Sequence, residues 1–289
     1  MSAPISDDLR HRYLIEANEL HERLKSRQRT IILDIRFRPD RPDGRPAYRE
    51  GHIEGAVYVD LPLELAGTTN GFSGRRPLPL ISDLQRDARR WGINNGDAVV
   101  VYDDNRGLQA GRAWWVLRWA GLTDVRLLNG GLDAWTAAGL ALTERVPLPD
   151  PGNVELSGGH LPDLTADEAA KHPFSGALFD ARSRDHYDGD PKNPFDRETG
   201  HIPGAQSLPA TDYLAADGRI APPETIRALL KRANPAGKSI GVYCGGGVAG
   251  AFSTLVLASA GIDASLFVGS WSAWSSDPSR PVEKTSRAA

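Results

Sequence analysis

Ser239-Ile240-Gly241-Val242-Tyr243-Cys244-Gly245-Gly246-Gly247-Val248-Ala249-Gly250 is the stretch of this 289-residue chain whose reading decides the fold. The run up to Tyr243 reads as a short buried strand. The glycines read as a turn, and the following Ala251-Phe252-Ser253-Thr254-Leu255-Val256-Leu257-Ala258 reads as a helix. Cys244, the only cysteine, stands where the strand gives way to the loop. The helix dipole and the loop N–H groups favour an anion at that point, and with it the thiolate. A loop almost without side chains also lets an anionic ligand approach the backbone closely. A lone cysteine is more often a small, inert, buried hydrophobe. The strand–glycine loop–helix setting is what argues for reactivity here.

The same loop contains a formal G-x-G-x-x-G in Gly245, Gly247 and Gly250, after a strand and opening a helix. A dinucleotide fingerprint also wants an acidic residue at the end of the next strand. That strand, 265–268, runs into Gly269, and Asp263 falls in the turn before it. Nucleotide binding is therefore the weaker reading.

Composition is that of an ordinary globular enzyme, with 40% hydrophobic and 25% charged residues. A formal net charge of −3 gives no bias toward nucleic acid or anionic membranes. No apolar run approaches the ~20 residues of a membrane span. The N-terminal residues have no basic region leading into an apolar segment, so a cytoplasmic location is expected. One cysteine forbids an internal disulfide, and the seven histidines show no metal-binding spacing, so no metal is expected.

Working outward from Cys244, the chain repeats itself. Ile31-Ile32-Leu33-Asp34-Ile35-Arg36 matches Ala177-Leu178-Phe179-Asp180-Ala181-Arg182. Gly51-His52-Ile53-Glu54-Gly55-Ala56 matches Gly200-His201-Ile202-Pro203-Gly204-Ala205. Val100-Val101-Tyr102-Asp103 matches Gly241-Val242-Tyr243-Cys244, and the stretch 127–135 matches 266–274. The offsets are 146, 149, 141 and 139 residues, so this is one domain used twice. In the first copy, strands are expected at 31–34, 57–59, 98–102 and 125–128, and helices at 13–24, 82–91, 110–120 and 132–138. That alternation argues for an α/β fold in which each copy is a mostly parallel sheet with helices on both faces. Sites in such sheets form at the C-terminal ends of strands, where Cys244 lies. The expected boundaries are a non-catalytic domain over 1–142, a Pro/Gly-rich linker over 143–160, and a catalytic domain over 161–289. Asp103 occupies the Cys244 position in the first copy, and a carboxylate cannot serve as a sulfur nucleophile.

These paired motifs, together with the cysteine loop of one copy only and the closing Gly269-Ser270-Trp271-Ser272-Ala273-Trp274, resemble the rhodanese superfamily, specifically its two-domain sulfurtransferases. The resemblance covers nearly the whole chain. It implies two tandem rhodanese-like domains and a cofactor-free double displacement. Cys244 takes the outer sulfur of thiosulfate or 3-mercaptopyruvate as a persulfide and passes it to cyanide or a thiol, with a thioredoxin-like reductant as a further partner. The loop N–H groups of Gly245, Gly246, Gly247, Val248 and Ala249 are then expected to bind the persulfide and the departing anion. His52 and His201, in the Gly-His-Ile motifs, are expected to be structural.

The donor is less sharply written. Thiosulfate-specific relatives resemble Cys-Arg-Lys-Gly-Val-Thr in the loop, where two cations hold the sulfonate. Here Gly245 and Gly246 stand in their place. The mercaptopyruvate enzymes resemble Cys-Gly-Ser-Gly-Val-Thr-Ala, which is closer, yet their Ser is Gly246 here and the relay positions fall on Pro62 and Arg76. Their substrate arginine falls on His186. Arg197 occupies the loop in which a second carboxylate-binding arginine is found. Candidate donor-binding cations are thus Arg197, His186, Arg182 and Arg76, with Arg75 beside the last. Arg182 is expected chiefly to tie down its own loop through a carboxylate. A cysteine phosphatase would need Cys-x5-Arg, and the sixth residue after Cys244 is Gly250. A persulfide carrier or regulatory module without turnover is the remaining alternative.

Overall fold

Continuous apolar runs set the positions of the strands. The computed structural model describes residues 7–189, 196–234 and 236–285, which form two units. In the first, β1 (Leu14–Ile15), β2 (Thr30–Asp34), β3 (Ala56–Tyr58), β4 (Ala98–Tyr102) and β5 (Val125–Leu128) form a sheet in the order β1-β5-β4-β2-β3. In the second, β6 (Ala177–Asp180), β7 (Gln206–Ser207), β8 (Ile240–Tyr243) and β9 (Ser265–Leu266) are ordered β7-β6-β8-β9. Every pairing in both sheets is parallel. Parallel strands need crossovers, and helices supply them. The interior strands β4 (AVVVY) and β8 (IGVY) are buried along nearly their whole length, which is why they carry no polar residue and no alternation.

One expected element is different. The helix expected over 13–24 begins only at Ala17, and Leu14–Ile15 before it is an edge strand. Backbone N–H groups of Leu127 and Asn129 donate to the carbonyls of Tyr13 and Ile15, and Leu14 and Ile15 are buried against β5. Glu16 is extended (φ −85°, ψ 154°), held by the Asn129 amide on its carboxylate at 2.7 Å. Sheet pairing thus overrides the helical pattern in a two-residue stretch too short to announce itself.

The units do not follow the two sequence halves everywhere. The first comprises residues up to Ala66, Pro79–Leu161 and Ala215–Ile220. The second comprises Gly67–Leu78, Pro162–Leu214 and the chain from Ala221 on. The stretch 143–160, expected as a linker, lies along the first unit: Thr143 bridges His52, and Val154 N and His160 N donate to Ile93 O and Trp119 O. Gly67–Leu78, drawn from the first sequence half, supplies residues to the second unit's site.

The repeat extends to individual hydrogen bonds. In the first unit Arg36 donates to Asp34 and to Gly51 O, and the Tyr102 hydroxyl accepts from Ile53 N at 3.2 Å. In the second, Arg182 donates to Asp180 and to Gly200 O, and the Tyr243 hydroxyl accepts from Ile202 N at 3.1 Å. His52 and His201 are both buried. Each stacks on a tyrosine, at 4.0 and 3.8 Å between centroids, and each places Nδ1 on that tyrosine's carbonyl. Nε2 of His52 faces a second carbonyl, Arg145 O, at 3.1 Å. No helix among the described residues is long and apolar enough to cross a membrane.

Candidate active site

Cys244 follows β8 directly and is 2% exposed. Its carbonyl accepts from Trp271 N at 2.8 Å and the Gly245 carbonyl from Ser272 N at 3.0 Å, so the short helix Ser270–Trp274 fixes the base of the loop. The Ser270 hydroxyl accepts the Cys244 N–H at 3.1 Å and lies 3.8 Å from Cys244 Sγ. Its one proton can go to the sulfur or to Phe267 O at 2.9 Å. Ser270 holds φ +54°, a left-handed conformation that costs a non-glycine residue roughly 1 kcal/mol or more.

Gly247 takes φ +75° and turns the loop into the helix Ala249–Ser259. Among the described residues the N–H groups of Gly245, Gly246, Val248 and Ala249 donate to no protein acceptor. They are the free donors that a loop-to-helix junction offers an anion.

The first unit shows what such a loop holds. Asp103 Oδ1 accepts from Asn105 N and Gly107 N, both at 2.8 Å, and Oδ2 accepts from Gln109 N and Ala110 N at 2.8 and 2.9 Å. The same strand–loop–helix thus closes four amides around an anion, and in this copy the anion is the chain's own carboxylate. Burial nonetheless leaves the Asp103 carboxyl above its ordinary range, against the lowering by those four donors. Gly131, the repeat partner of Ser270, holds φ +60°, and a Cβ there would stand 2.5 Å from Asp103 O.

Two cations lie on the Cys244 loop. A Cβ added to Gly245 would stand 3.0 Å from Arg75 Nη2, and one added to Gly246 would stand 3.4 Å from Arg76 Nη1 and 3.5 Å from Arg75 Nε. Arg75 N donates to Ser272 Oγ at 3.0 Å, and its guanidinium pairs with Asp196 at 2.7 Å. Burial, then repulsion from Arg75, lowers the Arg76 guanidinium from its ordinary value, and attraction to Cys244 opposes that. The Arg182 guanidinium is committed elsewhere. It pairs with Asp180 at 2.6 Å, donates to Gly200 O, and lies 4.7 Å from the centroid of the Trp271 ring. Burial alone would lower its pKa, but Asp180 more than offsets that, so it is raised and always charged.

The structure thus gathers Cys244, the Gly245–Ala249 loop (residues 245–249) and Arg76 in one place, with Arg182 bracing the floor. It does not gather the other two candidates in the same way. His186 is half-buried with Nδ1 on Ser183 Oγ at 3.0 Å, and Arg197 is exposed. No hydrogen bond or ion pair among the described residues joins either to the loop. Ser270, Asp196 and the Arg75–Asp196 pair escaped the sequence reading. Ser270 had a signal in the repeat, since it pairs with a glycine. Asp196 had none.

Against known proteins, the rhodanese-like domain model matches residues 16–138 and again 165–277. The chain is 44% identical to SseB of Mycobacterium tuberculosis, provisionally named a thiosulfate sulfurtransferase, over 94% of this chain and 97% of that one. It is 41% identical to a Pseudomonas aeruginosa protein provisionally named a 3-mercaptopyruvate sulfurtransferase, over 93% and 97%. The solved structure of SseA from Escherichia coli, at 27% identity, superposes with a TM-score of 0.80 over 90% of this chain and 99% of that one. With a rhodanese-like domain in each half, the chain belongs to the rhodanese family and is one of its two-domain sulfurtransferases.

Proposed function

We propose that Cys244 takes a sulfur atom from a small anionic donor, the thiol sulfur of 3-mercaptopyruvate in preference to the outer sulfur of thiosulfate, and passes it to cyanide or a thiol. The Cys244 thiolate attacks the donor sulfur and an S–S bond forms. With 3-mercaptopyruvate the C–S bond breaks, pyruvate leaves, and the thiol proton ends on its methyl carbon. With thiosulfate the donor's S–S bond breaks and sulfite leaves. Cyanide or a thiolate then attacks the outer sulfur of the persulfide and returns the Cys244 thiolate. The free N–H groups at Gly245, Gly246, Val248 and Ala249 stabilise the persulfide and the departing anion, as fixed dipoles do best when they need not reorganise. Arg76 holds the donor's anionic group, ahead of Arg197 and His186, while Arg182 positions the loop through Asp180.

The observation that carries this reading is the contrast between the two loops. Two of the amides that close on Asp103, those of Asn105 and Gly107, have their repeat counterparts at Gly246 and Val248, which stand open around Cys244. A thioredoxin-like dithiol is a fitting physiological acceptor, and a thiol that must stay unpaired suits the reducing cytoplasm. Steady-state sulfur transfer to cyanide, with both donors side by side, tests the proposal. Turnover with 3-mercaptopyruvate, abolished in Cys244→Ser, is expected. A thiosulfate kcat/KM well above that for 3-mercaptopyruvate would overturn the donor preference, and turnover by the serine variant would overturn the mechanism.

A further inference from the structure

We propose that a cleft in the first unit, at the N-terminal ends of β1 and β5, binds a small phosphorylated molecule. Such binding requires nothing of the sulfur chemistry at Cys244. The cleft has a volume of about 660 Å³, within the range of small-molecule sites. Tyr13 stands just before β1 and Asp124 just before β5, so the cleft lies at the end of the sheet opposite the Asp103 loop, which follows β4. Its walls carry Arg12, Arg118 and Arg126, with His11 beside them. Tyr13, packed edge-on against Trp114 at 5.9 Å between centroids, adds an aromatic wall. Two of the guanidiniums are held in place. Arg118 donates to Thr123 O, and Arg126 donates to Asp124 at 2.9 Å and to Glu19 at 3.4 Å. Arg12 ends a turn in which Arg12 N donates to Leu9 O and Tyr13 N to Arg10 O, and Tyr13 O accepts from Leu127 N at 2.8 Å, which ties this backbone to the sheet edge. Among the described residues the Arg12 guanidinium has no partner. Three arginines thus share two carboxylates, Asp124 and Glu19, and His11, 3.7 Å from Glu19, adds charge when protonated.

The fold does not require these cations, because the second copy is built without them. The helix Ala110–Trp119 and its counterpart Ala249–Ser259 end alike. Gly121 N donates to Arg118 O as Gly261 N does to Ala258 O, and Leu122 N donates to Leu117 O as Ile262 N does to Leu257 O. Val100 pairs with Arg126 as its repeat partner Gly241 pairs with Ser265. Arg118 and Arg126 therefore correspond to Ala258 and Ser265, and Thr123 corresponds to an acid, Asp263. A phosphate suits what the first copy adds. It carries about −1.5 to −2 charge near neutral pH and three acceptor oxygens, so several guanidiniums can share it. The two oxygens of a carboxylate fill a single arginine fork. Asp124 and Glu19, standing among the arginines, interrupt the continuous positive face that a nucleic acid or an anionic bilayer would need.

The test is a ¹H–¹⁵N NMR titration of the full chain with phenyl phosphate, set against phenylacetate as a carboxylate of similar size. Saturable shifts are expected at the backbone amides of Tyr13, Thr123, Asp124 and Arg126, with phenyl phosphate bound roughly tenfold more tightly than phenylacetate. Arg12→Gln and Arg118→Ala should each weaken phenyl phosphate roughly tenfold. Arg12 is exposed, and Arg118→Ala installs the residue that the second copy already carries there, so the spectra of both variants should stay dispersed like that of the wild type. Shifts confined to residues 245–249, equal binding of the two probes, or an affinity unchanged in either variant would overturn the proposal. Sedimentation with phosphatidylserine vesicles, without saturable shifts from phenyl phosphate, would make this face a membrane contact and would overturn it too.

Discussion

Ser270 is the residue at which local backbone rule and site chemistry part. The backbone at this place in the repeat is left-handed in both units, at φ +60° in Gly131 and +54° in Ser270. Only the unit with the cysteine spends a side chain there, and its hydroxyl lies under Cys244. Ser270→Gly should relieve the backbone and leave the midpoint of thermal unfolding within a few degrees of wild type. It should also lower kcat for sulfur transfer about tenfold, roughly 1.4 kcal/mol of lost stabilisation. Unchanged kcat would remove the hydroxyl from the chemistry. Asp103 makes the opposite case. Asp103→Ala orphans three buried N–H groups and a half-buried one, and should destabilise the first unit by ~3 kcal/mol in urea unfolding. Sulfur transfer to Cys244 should persist, and a loss beyond about 100-fold in folded protein would mean the carboxylate takes part in the reaction.

At the scale of elements, the repeated Asp–Arg–Tyr cluster beneath each sheet end gives a pH prediction. Burial raises the Asp34 carboxyl from 3.8 to about 6, opposed by Arg36 and by the Tyr102 hydroxyl. The folded state therefore holds the Asp34 proton more tightly than the unfolded chain does. That contribution to stability is complete below about 3.8 and is lost as pH rises through about 6. A carboxyl ¹³C resonance of Asp34 titrating near 6 is expected, and one titrating at or below the ordinary value would show that Arg36 outweighs burial. Strands β2 and β4 were legible in sequence because buried parallel strands are near-continuous apolar runs, and β5 was legible despite Arg126 from its Val and Leu residues. Strand β1 was not. Two residues carry no period, and they adjoin a genuine helix, so only pairing with Leu127 and Leu128 identifies them. The open amides of the Cys244 loop were legible from its glycines, since they follow from the strand–loop–helix order.

At the scale of the whole molecule, the duplication and the parallel sheets could be read from four matching motifs. The partition of the chain could not. Gly67–Leu78 belongs to the second unit and Ala215–Ile220 to the first, and nothing in the composition of either segment announces where it packs. For that reason Arg76 could be suspected as a donor cation, but the ion pair of its neighbour Arg75 with Asp196 could not. The packing predicts that Gly245→Ala, whose new Cβ meets the flexible end of Arg75, raises the donor KM severalfold while leaving unfolding within about 1 kcal/mol of wild type. An unchanged KM would place Arg75 outside the site. The proposed chemistry requires this duplicated chain to carry one sulfur at a time, on Cys244. Intact-mass analysis after incubation with 3-mercaptopyruvate tests it most directly. One added sulfur per chain, mapped to Cys244, removed by cyanide and absent from Cys244→Ser, is the expected result. Sulfur retained by the serine variant, or no sulfur on the wild type with either donor, would contradict it.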